Sequence, residues 1–312
     1  MSYRATMFLS SLKKLLSGGL FKSGSFKGFF AGILAIFQLI GALIFDTPVT
    51  PYGNKINLDE WTLTWSDEFS GDSLDTSVWS ANSNGMRRGG YWDSESQVSV
   101  KNDCLYITTE YLENGRYGAG WYSAEVETVN KIAPTYGYIE CRCICAPGIG
   151  LWSAFWTFSH GINNIDGTGR DGAEIDIFES PHYNYDSIFK NSVTHSVHYD
   201  GYGDAHQRKF LGSWNVDNPY TEFNTYGIEW NENEIIFYIN GVESARIDDE
   251  SVPQVEEWLK LSVEVNGNNG VPGLTSDGTI DGGDIGLITE NGGNDFKTDF
   301  IVDYVRIYTA KR

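Results

Sequence analysis

Ala173-Glu174-Ile175-Asp176-Ile177-Phe178-Glu179-Ser180 is the stretch on which the reading of this chain turns. Ile175, Ile177 and Phe178 favour a pleated surface, and at first they alternate with carboxylates, so the octapeptide reads as a β-strand. Side chains two apart share a face, which puts Glu174 and Asp176 together. Glu179 stands five positions past Glu174 and in a regular strand would point the other way. One extra residue, a β-bulge at Ile177-Phe178, returns it to the same side. Three carboxylates then stand in one row.

Stability does not explain such a row, because each negative charge favours the protonated form of its neighbour. Chemistry does. Cleaving a glycosidic bond with retention of configuration needs two carboxyl groups roughly 5–5.5 Å apart, one a nucleophile and the other an acid and then a base. A solvated strand face and a Ca²⁺ site are the bland alternatives, and the octapeptide alone leaves all three open.

The rest of the chain narrows the choice. E-I-D-I-F-E resembles the E-x-D-x-x-E signature of glycoside hydrolase family 16, in the bulged form of the laminarinases and agarases. Trp65-Ser66-Asp67-Glu68-Phe69, with Leu74-Asp75 and Trp79, resembles the family's opening strand and turn. Tyr136–Arg142 and Gly150–Trp156 resemble the pair of segments that lead to the catalytic strand. Tyr226–Trp230, Phe237–Gly241 and Val302–Tyr308 resemble the closing strands. These matches run in order from about Trp61 to Tyr308. They imply an all-β fold: a concanavalin-like jelly-roll sandwich of two curved antiparallel sheets, with the substrate cleft on the concave sheet. Glu174 is then the nucleophile, Glu179 the general acid/base and Asp176 the group between them, with no cofactor required.

The pattern of the remaining residues agrees with an all-β domain. Short aromatic and β-branched runs, such as Leu105–Thr109, Trp121–Val129, Ser192–Tyr199, Glu234–Ile239 and Phe300–Tyr308, are separated by Gly, Asn and Asp. No long 3.6-residue period appears, which indicates a sandwich of antiparallel sheets. Asn240-Gly241 is a hairpin turn, since both residues tolerate positive φ. Val255–Leu259 is expected to form a short helical turn. The Gly/Asp-rich stretch Asn266–Asp284 reads as a long loop at the cleft edge and does not fit EF-hand spacing.

Five basic residues precede an 18-residue apolar run, Gly28–Phe45, and the first acidic residue is Asp46. Residues 1–45 therefore read as a basic segment plus a signal peptide or signal anchor that engages a membrane, placing the enzyme outside the cell or on its surface. Residues 46–56, with Pro48, Pro51 and Gly53, read as a linker, and residues 57–312 as the catalytic domain. Past position 45 the chain carries 17 basic and 42 acidic residues. That balance excludes nucleic acid as a partner and favours a neutral glucan over a strongly sulfated polysaccharide. Cys141, Cys143 and Cys145 alternate along one strand, where parallel side chains rarely reach disulfide geometry, so they and Cys104 read as reduced core residues, with a bridge from Cys104 to one of the three as the alternative.

Around the row, Trp152 and Trp156 lie four apart and share a face, where ring faces suit pyranose C–H surfaces; core packing is the alternative. His195 and His198 differ by three, so one of them faces the cleft. Val197-His198-Tyr199 resembles the family's strand after the catalytic one, which selects His198. Arg88 and Trp92, in the turn Arg87–Trp92, and Glu264 are further candidates for sugar contact. The resemblance adds a structural Ca²⁺ held on the convex side by Glu68 and Asp303. The expected activity is a monomeric endo-acting hydrolase of a β-1,3- or mixed β-1,3/1,4-glucan. A galactan hydrolase (agarose, porphyran or carrageenan), a transglycosylase and a non-catalytic lectin-like module are the alternatives.

Overall fold

Runs of apolar residues too short for helices pair here into two stacked sheets. The structure, a computed structural model, describes residues 47–181, 183, 188–265 and 291–311. The apolar segment Gly28–Phe45 and the stretch Asn266–Asp284 lie outside the described residues. In chain order the first strands are β1 (Trp61–Asp67), β2 (Asn84–Arg87), β3 (Gly90–Asp93), β4 (Val98–Lys101), β5 (Cys104–Gly115) and β6 (Gly118–Ser123). Then come β7 (Glu125–Glu127), β8 (Gly137–Ile144), β9 (Leu151–Phe158), β10 (Glu174–Ser180), β11 (Ser192–Tyr199) and β12 (Gln207–Asn215). The last are β13 (Asn224–Trp230), β14 (Ile235–Ile239), β15 (Val242–Ile247), β16 (Trp258–Val265) and β17 (Lys297–Ala310).

One sheet runs β12-β11-β10-β9-β16-β7. The other runs β15-β14-β13-β8-β17-β5-β6-β3-β2, with β1 beside β17 and β4 beside β5. Neighbours are antiparallel except β3 and β6. This is the jelly-roll sandwich that the sequence implied. Between the sheets, Ile175, Ile177, Phe178, Val193 and Val197 of one meet Ile139, Tyr226, Phe300 and Val305 of the other. Phe178 stacks on Tyr226 with ring centroids 4.0 Å apart. The four cysteines are free and buried, as expected of small core residues. Asn240 (φ 49°) and Gly241 (φ 73°) turn β14 into β15, with Ile239 opposite Val242.

Two local expectations fail. Residues 255–257 form no helical turn but an irregular lead into β16. The described part of the expected linker, 47–56, is docked on the domain. Val49 is buried, donates its N–H to Ser213 O at 3.0 Å and accepts from Asn215 N–H at 2.9 Å. Gly53 N–H donates to Glu243 O and Ile56 N–H to Gly241 O, both at 2.9 Å. A Cβ on Gly53 would lie 2.6 Å from Glu243 Cβ, so only glycine permits that approach. The stretch pairs with β12 and then β15, the edge strands of the two sheets. Capping exposed edges is a sufficient physical reason for a proline-containing segment to lie flat there.

Candidate active site

The bulge forms where the sequence placed it. Asp176 lies opposite Trp156 of β9, and the register resumes with Phe178 opposite Phe155, which leaves Ile177 as the extra residue. On the other side, Asp176 lies opposite Ser196 and Glu179 opposite Thr194 of β11. Glu174, Asp176 and Glu179 consequently line one pocket, with Trp152, Trp156, Arg88 and Glu264 around them. The sequence named all seven.

Each acid has its own surroundings. Tyr202 donates its hydroxyl to Glu174 Oε2. Asp176 is only 3% exposed, and His198 Nε2 lies 3.3 Å from its Oδ2. Burial, reinforced by the charge of Glu174, pushes the Asp176 carboxyl well above the usual carboxylate range. Burial does the same to Glu179, with Asp176 and Glu174 adding to it. The row therefore shares protons as a unit, with Asp176 and Glu179 both pushed toward the protonated form. Thr194 Oγ1 donates to Glu179 Oε2 at 3.5 Å, a weak contact. Burial lowers the His198 imidazole, and its Nδ1 lies 2.8 Å from His206 Nε2, so a neutral pair of rings leads from Asp176 to the half-exposed His206. A protonated acid beside a hydrogen-bonded carboxylate is the division of labour that glycoside cleavage requires.

The walls carry cations that the overall acidity conceals. Glu264 is paired with Arg87 (Nε–H donating to Oε1 at 2.8 Å) and with Arg88. Arg88 lies in the left-handed region (φ 51°), rare for a long side chain. Its guanidinium is 4.9 Å from the Trp152 ring centre. Lys260 Nζ sits 4.5 Å over Trp156, whose Nε1–H donates to Ser262 Oγ at 3.1 Å. Trp92 does not line this pocket. It stands behind Arg87, 4.8 Å from its guanidinium, with Nε1–H donating to Val263 O at 2.9 Å.

Tyr202, His206 and Lys260 were not picked out from the sequence as site residues. The cue for Tyr202 was an aromatic residue between Gly201 and Gly203 just past the strand of His198. His195 faces the interior, opposite to His198, as a separation of three residues dictates.

The calcium expectation does not fit these side chains. Both oxygens of Glu68 accept from Arg306, at 2.8 Å each, and Asp303 Oδ2 is paired with Arg142 at 2.5 Å. A cation there would have to displace two guanidinium groups. Among the described residues, Glu174, Asp176 and His198 form the group whose ligand atoms lie close together, within 4.8 Å. Volume does not locate the chemistry. A larger depression of about 1010 Å³ lies over the other sheet, lined by the acids Asp59, Glu60 and Glu229, of which Glu60 accepts from Asn57 Nδ2 at 2.9 Å and Glu229 from Tyr238 Oη at 3.1 Å.

Residues 61–310 match the family model described as "Beta-porphyranase A-D, GH16 domain". The chain is 28% identical over 275 residues to a Beta-glucanase of Rhodothermus marinus, covering 80% of this chain and 85% of that protein. It is 28% identical over 240 residues to Beta-porphyranase B of Zobellia galactanivorans, covering 68% and 77%. The crystal structure of SCLam, a non-specific endo-β-1,3(4)-glucanase from family GH16, superposes with a TM-score of 0.65 at 22% identity, over 86% of this chain and 98% of that one. By the bulged carboxylate row and a family match over residues 61–310, the chain belongs to glycoside hydrolase family 16 and is a glycoside hydrolase.

Proposed function

We propose that the domain cuts internal linkages of a β-1,3- or mixed β-1,3/1,4-glucan with retention of configuration. The observation that carries this is the bulge in β10, which sets Glu174, Asp176 and Glu179 on one face of one strand. Glu179, held protonated by burial, gives its proton to the glycosidic oxygen while Glu174 attacks the anomeric carbon, and the leaving sugar departs with that proton. Glu179, now a carboxylate, takes a proton from water, which displaces Glu174 and releases the second product. Asp176 holds Glu174 and Glu179 in register, and Tyr202 stabilises the charge on Glu174. The glucanase names of the relatives support the glucan assignment.

A second reading, hydrolysis of a sulfated galactan such as porphyran, is favoured by Arg87 and Arg88 beside the row and by the porphyranase description of the family model. Product analysis by mass spectrometry on laminarin, lichenan, agarose, porphyran and carrageenan separates the two. Glucan oligosaccharides are expected; sulfated galactan oligosaccharides establish the second reading instead. Binding without any cleavage product contradicts both and leaves a lectin. Residues 1–45 are proposed to carry the catalytic domain, a monomer, across a membrane. Fractionation that finds the full-length protein free in the cytoplasm removes that proposal.

A further inference from the structure

The bulge that aligns the row creates a difficulty for the backbone. Ile177 is left out of register with both β9 and β11, and its side chain is fully buried. A carbonyl left without a partner in such a place costs about 1–3 kcal/mol. His195, on β11, meets it: Nδ1 lies 2.6 Å from Ile177 O. A carbonyl only accepts, so Nδ1 carries the proton and donates. The other nitrogen, Nε2, lies 2.9 Å from Ser244 Oγ on β15, a strand of the opposite sheet. The ring is fully buried, with its centroid 4.8 Å from that of Phe237. Burial drops the imidazole to about 3, so it stays neutral and keeps one tautomer wherever the protein is folded near neutral pH.

We propose that His195 is a positioning residue for catalysis, a strut from Ser244 to the Ile177 carbonyl that fixes the bulge at Ile177 and thereby keeps Glu179 on the face of Glu174 and Asp176. The reason is register. A strand that loses or moves its bulge by one residue turns every later side chain to the other face, and Glu179 is the later residue. Glu174 and Asp176 precede the bulge and keep their places. Removing the strut therefore weakens proton donation by Glu179 before it weakens attack by Glu174.

That asymmetry gives the test, which rests on the catalytic reading above. The ratio kcat/KM, which covers only the steps up to departure of the leaving group, is compared on the natural polysaccharide, whose leaving group needs protonation, and on a dinitrophenyl glycoside of a matching oligosaccharide, whose leaving group does not. His195→Leu is expected to lower kcat/KM on the polysaccharide on the order of 10²-fold, as for a small misplacement of a catalytic group. It should change kcat/KM on the dinitrophenyl glycoside less than about 3-fold, because that step ends when the leaving group departs and acid catalysis contributes little to it there. His195→Asn, whose amide N–H can reach toward the same carbonyl, is expected to recover part of the loss. It carries the same comparison if the leucine variant does not fold. Val193→Ala, a buried change on the same face of the same strand, should lower Tm and leave the ratio of the two activities unchanged. Equal losses of kcat/KM on both substrates, or wild-type kcat/KM on the polysaccharide in His195→Leu, overturn the strut. A wild-type protein inactive on both substrates overturns the catalytic reading beneath it.

Discussion

Glu257 offers a sharp physical test, because its burial sets a sign as well as a size. Its side chain lies just before β16, fully inaccessible, with Oε1 accepting the N–H of Ala173 at 3.0 Å and Oε2 accepting the Thr157 hydroxyl. Ala173 immediately precedes Glu174, so Glu257 pins the entry of the catalytic strand. Burial outweighs both hydrogen bonds and lifts the carboxyl from 4.5 to about 8. Between those values the folded protein holds a proton that the unfolded chain has released. The stabilisation is complete below about pH 4.5, falls as pH rises toward 8, and is gone above it. At 1.36 kcal/mol for each tenfold change, the span from 4.5 to about 8 amounts to at most about 5 kcal/mol. Glu257→Gln keeps the shape: its amide oxygen can accept from Ala173 and its nitrogen can donate to Thr157. Urea unfolding at pH 5, 7 and 9 should find the two proteins within about 1 kcal/mol at pH 5, with the variant several kcal/mol more stable at pH 9. A difference that does not change with pH refutes the reasoning.

Asp176→Asn should leave the far-ultraviolet circular dichroism spectrum unchanged and lower kcat on the order of 10²-fold, the worth of a positioned acid–base partner. Arg88→Ala distinguishes the two substrate readings: a charged hydrogen bond is worth about 1.5–3 kcal/mol, so kcat/KM should fall tenfold or more on a sulfated galactan. On a neutral glucan the change should be small. EDTA should not shift Tm, because Glu68 is held by Arg306 and Asp303 by Arg142; a drop of several degrees that Ca²⁺ reverses would restore the cation site.

Features set by short-range pattern were legible in the sequence. Alternation in Glu174–Asp176 gave one face, and the five-residue step to Glu179 required a bulge, which is present at Ile177. The Asn240-Gly241 hairpin followed from the two residues that tolerate positive φ. Features set by pairing across long separations were not legible. Pro48, Pro51 and Gly53 carry the composition of a linker, and nothing local to them discloses that β12 and β15 present open edges to that stretch. Glu68 and Asp303 are acids on the convex side, as a calcium site would need, but Arg306 is 238 residues from Glu68 and Arg142 is 161 from Asp303. Net charge likewise carried no information about the local balance: a chain with 42 acidic residues still gathers Arg87, Arg88 and Lys260 around one cleft. The division between His195 and His198 came from spacing alone. The strut that His195 forms needed the opposite sheet to become visible.

The central claim is that Glu174 bonds covalently to the sugar while Glu179 serves as acid and then base. It is tested most directly by trapping that bond. The protein is incubated with a 2-deoxy-2-fluoro glycosyl fluoride of the cleaved oligosaccharide, digested, and its labelled peptide sequenced by tandem mass spectrometry. The account predicts a single fluorosugar on Glu174, absent in Glu174→Ala and still formed in Glu179→Gln, since the fluoride leaves without acid assistance. A label on Glu179, or no label from an enzyme whose first-formed product has inverted configuration, contradicts it.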